Sequence, residues 1–207
     1  MMHRNQKQTG ICFVLSSPSA AGKTSVAKLL LERDPQLQKT ISHTTRKPRP
    51  GEHHGIDYYF VQESEFEDLK DQGQFLEWAQ VYDRKYATSE KEVQSILDQG
   101  KDVLLVIESQ GAQAIKQKFP EHALILLLPP SVKTLEERIR NRPGSEPEDV
   151  ARRMDQAKQE IQKMAGYDYV VVNKDIEEAA EQLANILYAE RQKLSRNQKL
   201  VQELCSS

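Results

Sequence analysis

The tripeptide Gly22-Lys23-Thr24 carries the residue types of a phosphate-binding site. A lysine brings a positive charge to the β- and γ-phosphates of a nucleotide, and a threonine hydroxyl can bind Mg²⁺. The apolar run 11–17 precedes the tripeptide, and residues 24–33 have the apolar spacing of a helix. Strand, turn and helix is the context such a loop needs, because the free N–H groups at a helix start bind anions. The sequence therefore predicts a phosphate-binding loop rather than a chance Gly-Lys-Thr.

The loop departs from the G-x-x-x-x-G-K-[ST] pattern at its first glycine. Ser17 stands at that position, and Ala20 stands where another glycine is often found. Glycine adopts positive φ readily, whereas serine and alanine resist it. We therefore expect a strained or reshaped loop that keeps its lysine and its hydroxyl.

A second polar group lies in the loop RKPRPGEHHG, where Arg46 and Arg49 flank a proline. Two guanidinium groups close together suit a phosphate, since each can bind it with two N–H groups. Tyr58 follows and could add a hydroxyl to the same anion. The alternative is a solvated basic turn, and the arginines alone do not decide between the two. His53-His54 is interpreted as a solvated loop tip rather than a metal site, because no cysteine or paired ligand lies nearby.

The third group is in FLEWAQVYDRKYATS, where Glu77 lies in a predicted strand beside the only tryptophan. A carboxylate accepts two adjacent N–H donors, such as N1 and N2 of guanine, so Glu77 is either a base reader or a residue on the outer face. Tyr86 and Thr88 are expected on a short turn, where they could contact phosphate and base.

Continuous apolar runs predict buried strands at 11–17, 102–108, 122–130 and 169–173. Helical segments separate these runs, which favours a parallel sheet with helices on both faces. The section 38–90 is instead predicted to be a small inserted β-rich subdomain.

Helix starts are predicted from two capping boxes, in which a serine is followed by glutamate three residues later. Ser64 with Glu67 would open a short helix, and Ser89 with Glu92 a second one. Further helices are expected over 131–142 and 146–165, and a long charged one begins near Asp175.

Composition narrows the class of protein. The chain has 207 residues, with 29 Lys and Arg against 31 Asp and Glu, and this balance argues against a nucleic-acid partner. The apolar runs are too short to span a bilayer, so no membrane partner is expected. Cys12 and Cys205 do not form a disulfide framework, which favours a reducing compartment, the cytoplasm. The oligomeric state, including a homo-oligomer, stays open.

Together these segments resemble the guanylate kinase family, P-loop enzymes that move a phosphoryl group from ATP to GMP. The resemblance covers about residues 10–190, and SHTTRKPRPGEHHGIDYYF and FLEWAQV are its most specific parts. It implies an α/β P-loop kinase with a parallel sheet core flanked by helices, an inserted β-rich GMP-binding subdomain and a helical lid. The corresponding ranges are core 10–37, 91–130 and 168–195, GMP-binding 38–90, lid 131–167, a disordered start 1–9 and a frayed tail 196–207.

The resemblance also implies roles for single residues. The ATP-binding residues would be Ser17, Pro18, Ser19, Ala20, Ala21, Gly22, Lys23, Thr24 and Ser25, with Asn173 near the adenine and Thr24 binding Mg²⁺. The GMP-binding residues would be Ser42, Glu77 and Thr88 for guanine, Arg46, Arg49, Tyr58 and Tyr86 for phosphate, and Glu108. The catalytic cations would be Lys23 and the lid residues Arg138, Arg142 and Arg153.

The chain departs from the family at the end of the run 102–108. The family usually has two acids there with one residue between them, and this chain has Val106-Ile107-Glu108. Such departures keep two alternatives open. One is an inactive guanylate kinase-like binding domain, which typically degrades the P-loop. The other is a kinase of another phosphorylated acceptor, such as a ribose bisphosphate, which would not need a base reader.

Overall fold

Two β-sheets and the helices around them form the described part of the chain. The structure is a computed structural model, and it describes residues 9–81, 83–107, 109–119, 121–141, 147–162 and 166–205. The strands are β1 (Cys12–Ser16), β2 (Leu37–Lys39), β3 (His43–Thr44), β4 (Tyr59–Phe60), β5 (Phe75–Val81), β6 (Arg84–Ser89), β7 (Asp102–Val106), β8 (His122–Leu128) and β9 (Tyr169–Val172). The α-helices are α1 (Lys23–Arg33), α2 (Glu63–Asp71), α3 (Glu90–Asp98), α4 (Ser109–Lys118), α5 (Val132–Arg140), α6 (Pro147–Gln162), α7 (Ile176–Arg191) and α8 (Gln198–Cys205).

The larger sheet is parallel, with the strand order β2-β7-β1-β8-β9. Its central strand β1 is buried on both faces, which is why it appears in the sequence as an unbroken apolar run. Phe13 and Leu15 pack with residues of α1 and α7 on one face, and Cys12 and Val14 pack with residues of α3 and α4 on the other. The predicted parallel core with helices on both faces is confirmed.

The smaller sheet has the order β4-β3-β6-β5 and mixes parallel and antiparallel pairs. It has its own small core, in which Phe66 of α2 packs with Phe75 and Ala87 of the sheet. The predicted β-rich subdomain is therefore present. Its strands β3 and β4 have only two residues each, so loops form much of this unit.

One predicted capping box is confirmed in part and the other is wrong. Ser89 precedes α3, and its hydroxyl accepts a hydrogen bond from the backbone N–H of Glu92. The Glu92 carboxylate accepts from the N–H of Ile41 and so ties α3 to the loop before β3. In contrast, α2 begins at Glu63 and Gln62 is its N-cap residue, so Ser64 lies inside the helix.

The C-terminal segment forms a further short helix, α8, in which no residue is buried. Helix α7 begins as predicted, because the Asp175 carboxylate caps it by accepting from the N–H groups of Glu177 and Glu178. None of the described helices combines the length and the apolar character needed to cross a membrane.

A buried carboxylate joins three parts of the core at the start of β7. Asp102 accepts the backbone N–H of Ile11 at 2.7 Å and the Nε of Arg191 at 2.7 Å. Arg191 also donates to Asp34, which follows α1. These bonds fix the C-terminal end of α7 against the sheet, since one guanidinium serves two carboxylates.

We expect Asp102→Ala to lower the free energy of unfolding by about 3 kcal/mol, because it leaves the buried Ile11 N–H without its acceptor and takes one of two carboxylates from the partly buried Arg191 guanidinium. Urea unfolding followed by circular dichroism measures this loss. Arg33→Ala, which breaks an exposed pair with Glu177, is the matched control and should cost less than about 1 kcal/mol. Equal losses in the two variants would contradict the structural role of Asp102.

Candidate functional site

A cleft of about 1040 Å³ lies between the loop that follows β1 and the inner face of the smaller sheet. It has the size of a ligand site. Residues from 19 to 153 meet there, although they are far apart along the chain. The predicted site residues that line the cleft are Ser19, Lys23, Thr24, Ser42, Arg46, Arg49, Tyr58, Glu77, Tyr86 and Arg153.

The loop from Ser17 to Gly22 joins β1 to α1, as the sequence predicts. Gly22 has a φ of 96°, which turns the chain into the helix. Lys23 is the first residue of α1, and its Nζ donates to the backbone oxygen of Ile107 at 3.0 Å. Its ammonium group therefore lies at the carboxyl ends of β1 and β7, where α/β sheets bind ligands.

The two non-glycine residues of this loop behave differently. Ala20 has a φ of 65° and is the single non-glycine residue with positive φ among those described. This conformation costs an alanine about 1–2 kcal/mol. Ser17 is not in that region, and its hydroxyl donates to the oxygen of Pro18. The expected strain is thus present at Ala20 alone.

Asn173 and Arg138 hold the loop through the backbone oxygen of Ala21. The Asn173 Nδ2 donates to the Ala21 oxygen at 2.7 Å, and the Arg138 guanidinium donates to the same oxygen at 3.3 Å. Arg138 also donates to the backbone oxygen of Asn173. In this arrangement Arg138 contacts the backbone behind the loop and does not line the cleft.

The side-chain oxygen of Asn173 is left without a partner among the described residues, although it is buried. The Nδ2 donates to a carbonyl, so the amide orientation is fixed and the unpaired atom is an acceptor. A buried unpaired acceptor calls for a donor from a ligand or water. An exocyclic amino group of a base is such a donor.

Glu77 and Thr88 form a cross-strand pair on β5 and β6. The Thr88 hydroxyl donates to the Glu77 Oε1 at 2.6 Å, and both residues are buried. The prediction of a short turn for Tyr86 and Thr88 is wrong, because both lie on β6. Residues 84–89 pair back onto β5 at once, and aromatic and β-branched side chains in this stretch favour a strand.

A bulge between Phe75 and Glu77 shifts the register of β5 against β6. Bulges redirect the side chains that follow them. Phe75 therefore packs into the core of the smaller sheet while Leu76 packs against α3 and α4. Glu77 then faces the cleft instead of solvent.

The arginine loop contains a residue that the sequence analysis missed. Glu52 accepts from both Nη atoms of Arg46 at 2.9 Å and from the backbone N–H of Arg49 at 2.8 Å. It closes the loop and holds the Arg46 guanidinium beside the rings of Tyr58 and Phe60. The sequence offered one signal for this contact, because Glu52 is a lone acid six residues after Arg46 in an otherwise basic loop.

Hydrogen bonding to Glu52 raises the pKa of Arg46 further above neutrality. Burial raises the pKa of Tyr58, which keeps its hydroxyl protonated as a donor. The rings of Tyr58 and Tyr86 lie 6.1 Å apart in an edge-to-face arrangement. This corner of the cleft therefore presents cations and hydroxyl groups to an anion.

Some predicted residues lie away from the cleft lining or outside the described residues. Thr88 is behind Glu77, and Ser25 is exposed in the first turn of α1. Glu108 and Arg142 lie outside the described residues. Val106 lines the cleft, and the Lys23 Nζ donates to the backbone oxygen of the next residue, Ile107. Four basic residues that were not predicted also line the cleft, namely Lys28, Lys39, Lys47 and Arg84.

Comparison with known proteins agrees with this geometry. Residues 10–190 match the sequence model of a family described as guanylate kinase. The chain belongs to the guanylate kinase family. The resemblance inferred from its motifs is therefore confirmed, and it extends over most of the chain.

Individual guanylate kinases are similar along nearly their whole length. One from Syntrophus aciditrophicus (strain SB) is 42% identical over 207 residues and is covered in full, as is this chain. One from Rickettsia bellii (strain RML369-C) is 46% identical over 187 residues, which is 90% of this chain and 98% of that protein. The crystal structure of guanylate kinase from Anaplasma phagocytophilum superposes with a TM-score of 0.77 at 38% identity, covering 92% of this chain and 90% of that one.

The pair formed by Arg46 and Glu52 predicts a pH dependence in the arginine loop. The Arg46 guanidinium holds the pKa of Glu52 below its usual range. Because the folded-state pKa is the lower one, the pair stabilises the loop above the unfolded-state pKa. That stabilisation is lost as pH falls through the folded-state pKa.

In an NMR titration, we expect the Glu52 carboxyl to titrate below the ordinary glutamate pKa of about 4.3. In the Arg46→Ala variant its midpoint should rise toward that value. A Glu52 midpoint that is the same in both proteins would show that the pair does not persist in solution.

Proposed function

We propose that the protein transfers the γ-phosphoryl group of ATP to GMP, giving ADP and GDP, as part of purine nucleotide metabolism and GMP recycling. The observation that carries this proposal is the meeting of two sites in one cleft. Lys23 and Thr24 of the phosphate loop line it together with Arg46 and Glu77 of the smaller sheet. A phosphate donor and a phosphorylated base can therefore bind next to each other in one cleft.

On the acceptor side, Glu77 would bind guanine. Its carboxylate accepts the adjacent N1–H and N2–H groups of the base, and Thr88 fixes its orientation through the hydrogen bond to Oε1. Adenine carries no hydrogen at N1, so the carboxylate would face the lone pair of that nitrogen and form no hydrogen bond with it. Ser42 lines the cleft too and is assigned to the base.

The GMP phosphate would bind at the corner formed by Arg46, Arg49, Tyr58 and Tyr86, which all line the cleft. Glu52 accepts from both Nη atoms of Arg46, and the Lys47 backbone oxygen accepts from Nη1, so the guanidinium is held in one orientation at the cleft. A planar guanidinium that is already oriented loses less entropy when it binds an anion.

On the donor side, the loop from Ser17 to Ser25 would hold the ATP phosphates, and Asn173 would lie near the adenine. An oxygen of the GMP phosphate forms a bond to the γ-phosphorus while the bond to the bridging β-γ oxygen breaks, which leaves ADP. Lys23 and Arg153, which line the cleft, would offset the charge on the moving group. The resemblance assigns the same role to Arg138 and Arg142, and Arg138 would first have to give up its bonds to the Ala21 and Asn173 oxygens. Phosphoryl transfer depends mainly on such positioning and electrostatics.

Mg²⁺ bound to ATP would neutralise charge on the β- and γ-phosphates. Thr24 is exposed in the first turn of α1 and lines the cleft, so its hydroxyl fits a ligand of this metal. Among the described residues no group of three or more His, Cys, Asp or Glu side chains could hold a metal. This fits Mg²⁺, which commonly relies on substrate phosphates and water for most of its ligands.

The two alternatives receive less support. A binding domain without activity has no need of a lysine and a hydroxyl that both face the cleft. A kinase of a sugar phosphate has no need of the buried pair formed by Glu77 and Thr88. We place the reaction in the cytoplasm, because both cysteines are free.

The proposed reaction is tested by mixing the protein with ATP, Mg²⁺ and GMP and measuring ADP formation. We expect ADP to form only when GMP is present, and AMP or a ribose bisphosphate to substitute poorly. Tight GMP binding without ADP formation would favour the inactive binding domain. Equal use of GMP and AMP would contradict the assignment of Glu77.

We expect Glu77→Ala to remove the preference for GMP over AMP, because the carboxylate is the group that tells the bases apart. A site that hydrogen-bonds a substrate rejects an analogue without the matching groups by up to about 10⁴-fold. The ratio of kcat/KM for GMP and AMP measures the preference. Trp78→Ala, at the next residue but exposed on the other face of β5, is the control and should leave the ratio unchanged.

We expect Arg46→Lys to raise the KM for GMP by about tenfold or more, because an ammonium cannot bind a phosphate and Glu52 with paired N–H groups. The KM for ATP should change little. Arg33→Lys, at an exposed position outside the cleft, is the matched control. An unchanged KM for GMP in Arg46→Lys would remove Arg46 from the phosphate site.

A further inference from the structure

Gly111 approaches the Glu77 carboxylate more closely than any residue with a side chain could. It is the third residue of α4 and is buried. A Cβ built on Gly111 would lie 2.3 Å from Oε2, 2.8 Å from Cδ and 3.0 Å from Cγ of Glu77. These distances are well inside van der Waals contact, so a side chain at 111 and the present position of Glu77 exclude each other.

Glu77 has little room to move away. Thr88 holds its Oε1, and the residue is 8% exposed between β6 and α4. The neighbouring residue on the strand, Leu76, is fixed in the main core with α3 and α4. A displaced carboxylate would lose the bond to Thr88 or push α4 outward.

The helix itself gives no reason for a glycine at 111. Gly111 is not among the described glycines with positive φ, so its backbone conformation is open to any residue. Glycine is the least favourable helix residue after proline, whereas alanine is the most favourable. The space taken by Glu77 is therefore the reason that a side chain is missing here.

We infer that Gly111 is a specificity-determining positioning residue. The missing side chain lets α4 form one wall of the base pocket and sets where the Glu77 oxygens stand. Because Glu77 is assigned to N1–H and N2–H of guanine, this inference rests on the proposed function. It adds that discrimination of the 2-amino group depends on backbone proximity between α4 and β5.

The test is steady-state kinetics of Gly111→Ala with GMP and with IMP, which lacks the 2-amino group. We expect KM for GMP to rise at least about tenfold and the preference for GMP over IMP to fall by a similar factor, since a misplaced carboxylate loses both hydrogen bonds. The kcat at saturating GMP and the KM for ATP should stay within about threefold. A general loss of folded structure would not raise the KM for GMP while leaving kcat and the KM for ATP nearly unchanged.

A double variant supplies the matched control. In the Glu77→Ala background, adding Gly111→Ala should change KM for GMP by less than about twofold, because the two effects share one cause and are not additive. Gln117→Gly, at an exposed position of α4, alters helix propensity alone and should leave the preference for GMP over IMP unchanged.

Three outcomes would overturn the inference. In the first, the unmutated enzyme is active, and Gly111→Ala changes neither the KM for GMP nor the preference for GMP over IMP. That result would leave the proposed function intact. Another is that Gly111→Ala fails to fold and the double variant with Glu77→Ala also fails, which places the clash elsewhere. Rescue of folding by the double variant supports the inference. The third is no GMP-dependent ADP from the unmutated protein, which overturns the proposed function as well.

Discussion

Burial of β1 on both faces is the constraint on which the site depends. Cys12–Ser16 lies between β7 and β8 and is covered by helices above and below. The strand therefore cannot slide or tilt without opening the core, so the loop that leaves it has a fixed starting point. Lys23 then reaches the end of β7 at Ile107. The rigid apolar strand β1 thus determines the position of the Lys23 ammonium group.

The side of the cleft formed by the smaller sheet is organised differently, because its polar side chains are hydrogen-bonded to each other without a ligand. Thr88 orients Glu77, and Glu52 orients Arg46. Both pairs orient groups that line the cleft, namely a carboxylate with four acceptor positions and a guanidinium with five donors. Such preorganisation limits the entropy lost when a ligand binds.

Local patterns in the sequence were sufficient to predict the strands of the core, the place of Lys23 at the start of α1 and a strand around Glu77, because each depends on neighbours along the chain. Contacts through space were not predictable in this way. Gly111 meets Glu77 across two elements, and nothing near it in sequence indicates the approach. The turn expected at 86–88 was wrong because pairing with β5 decided the structure. The sequence predicted strain in the loop at Ser17 or Ala20, and the positive φ of Ala20 shows which residue carries it.

Ala20 also links the phosphate loop to two helices beyond the cleft. Its methyl group packs against an apolar cluster of α5 and α6, which includes Leu135, Ile139 and Met154. That contact offsets part of the cost of its left-handed backbone. Any movement that separates these helices from the loop removes the offset and makes the strained conformation harder to keep. By thermodynamic reciprocity, whatever stabilises the loop conformation also favours the helices in their packed position. Through the Ala20 methyl group, the conformation of the loop and the position of α5 and α6 are therefore energetically coupled.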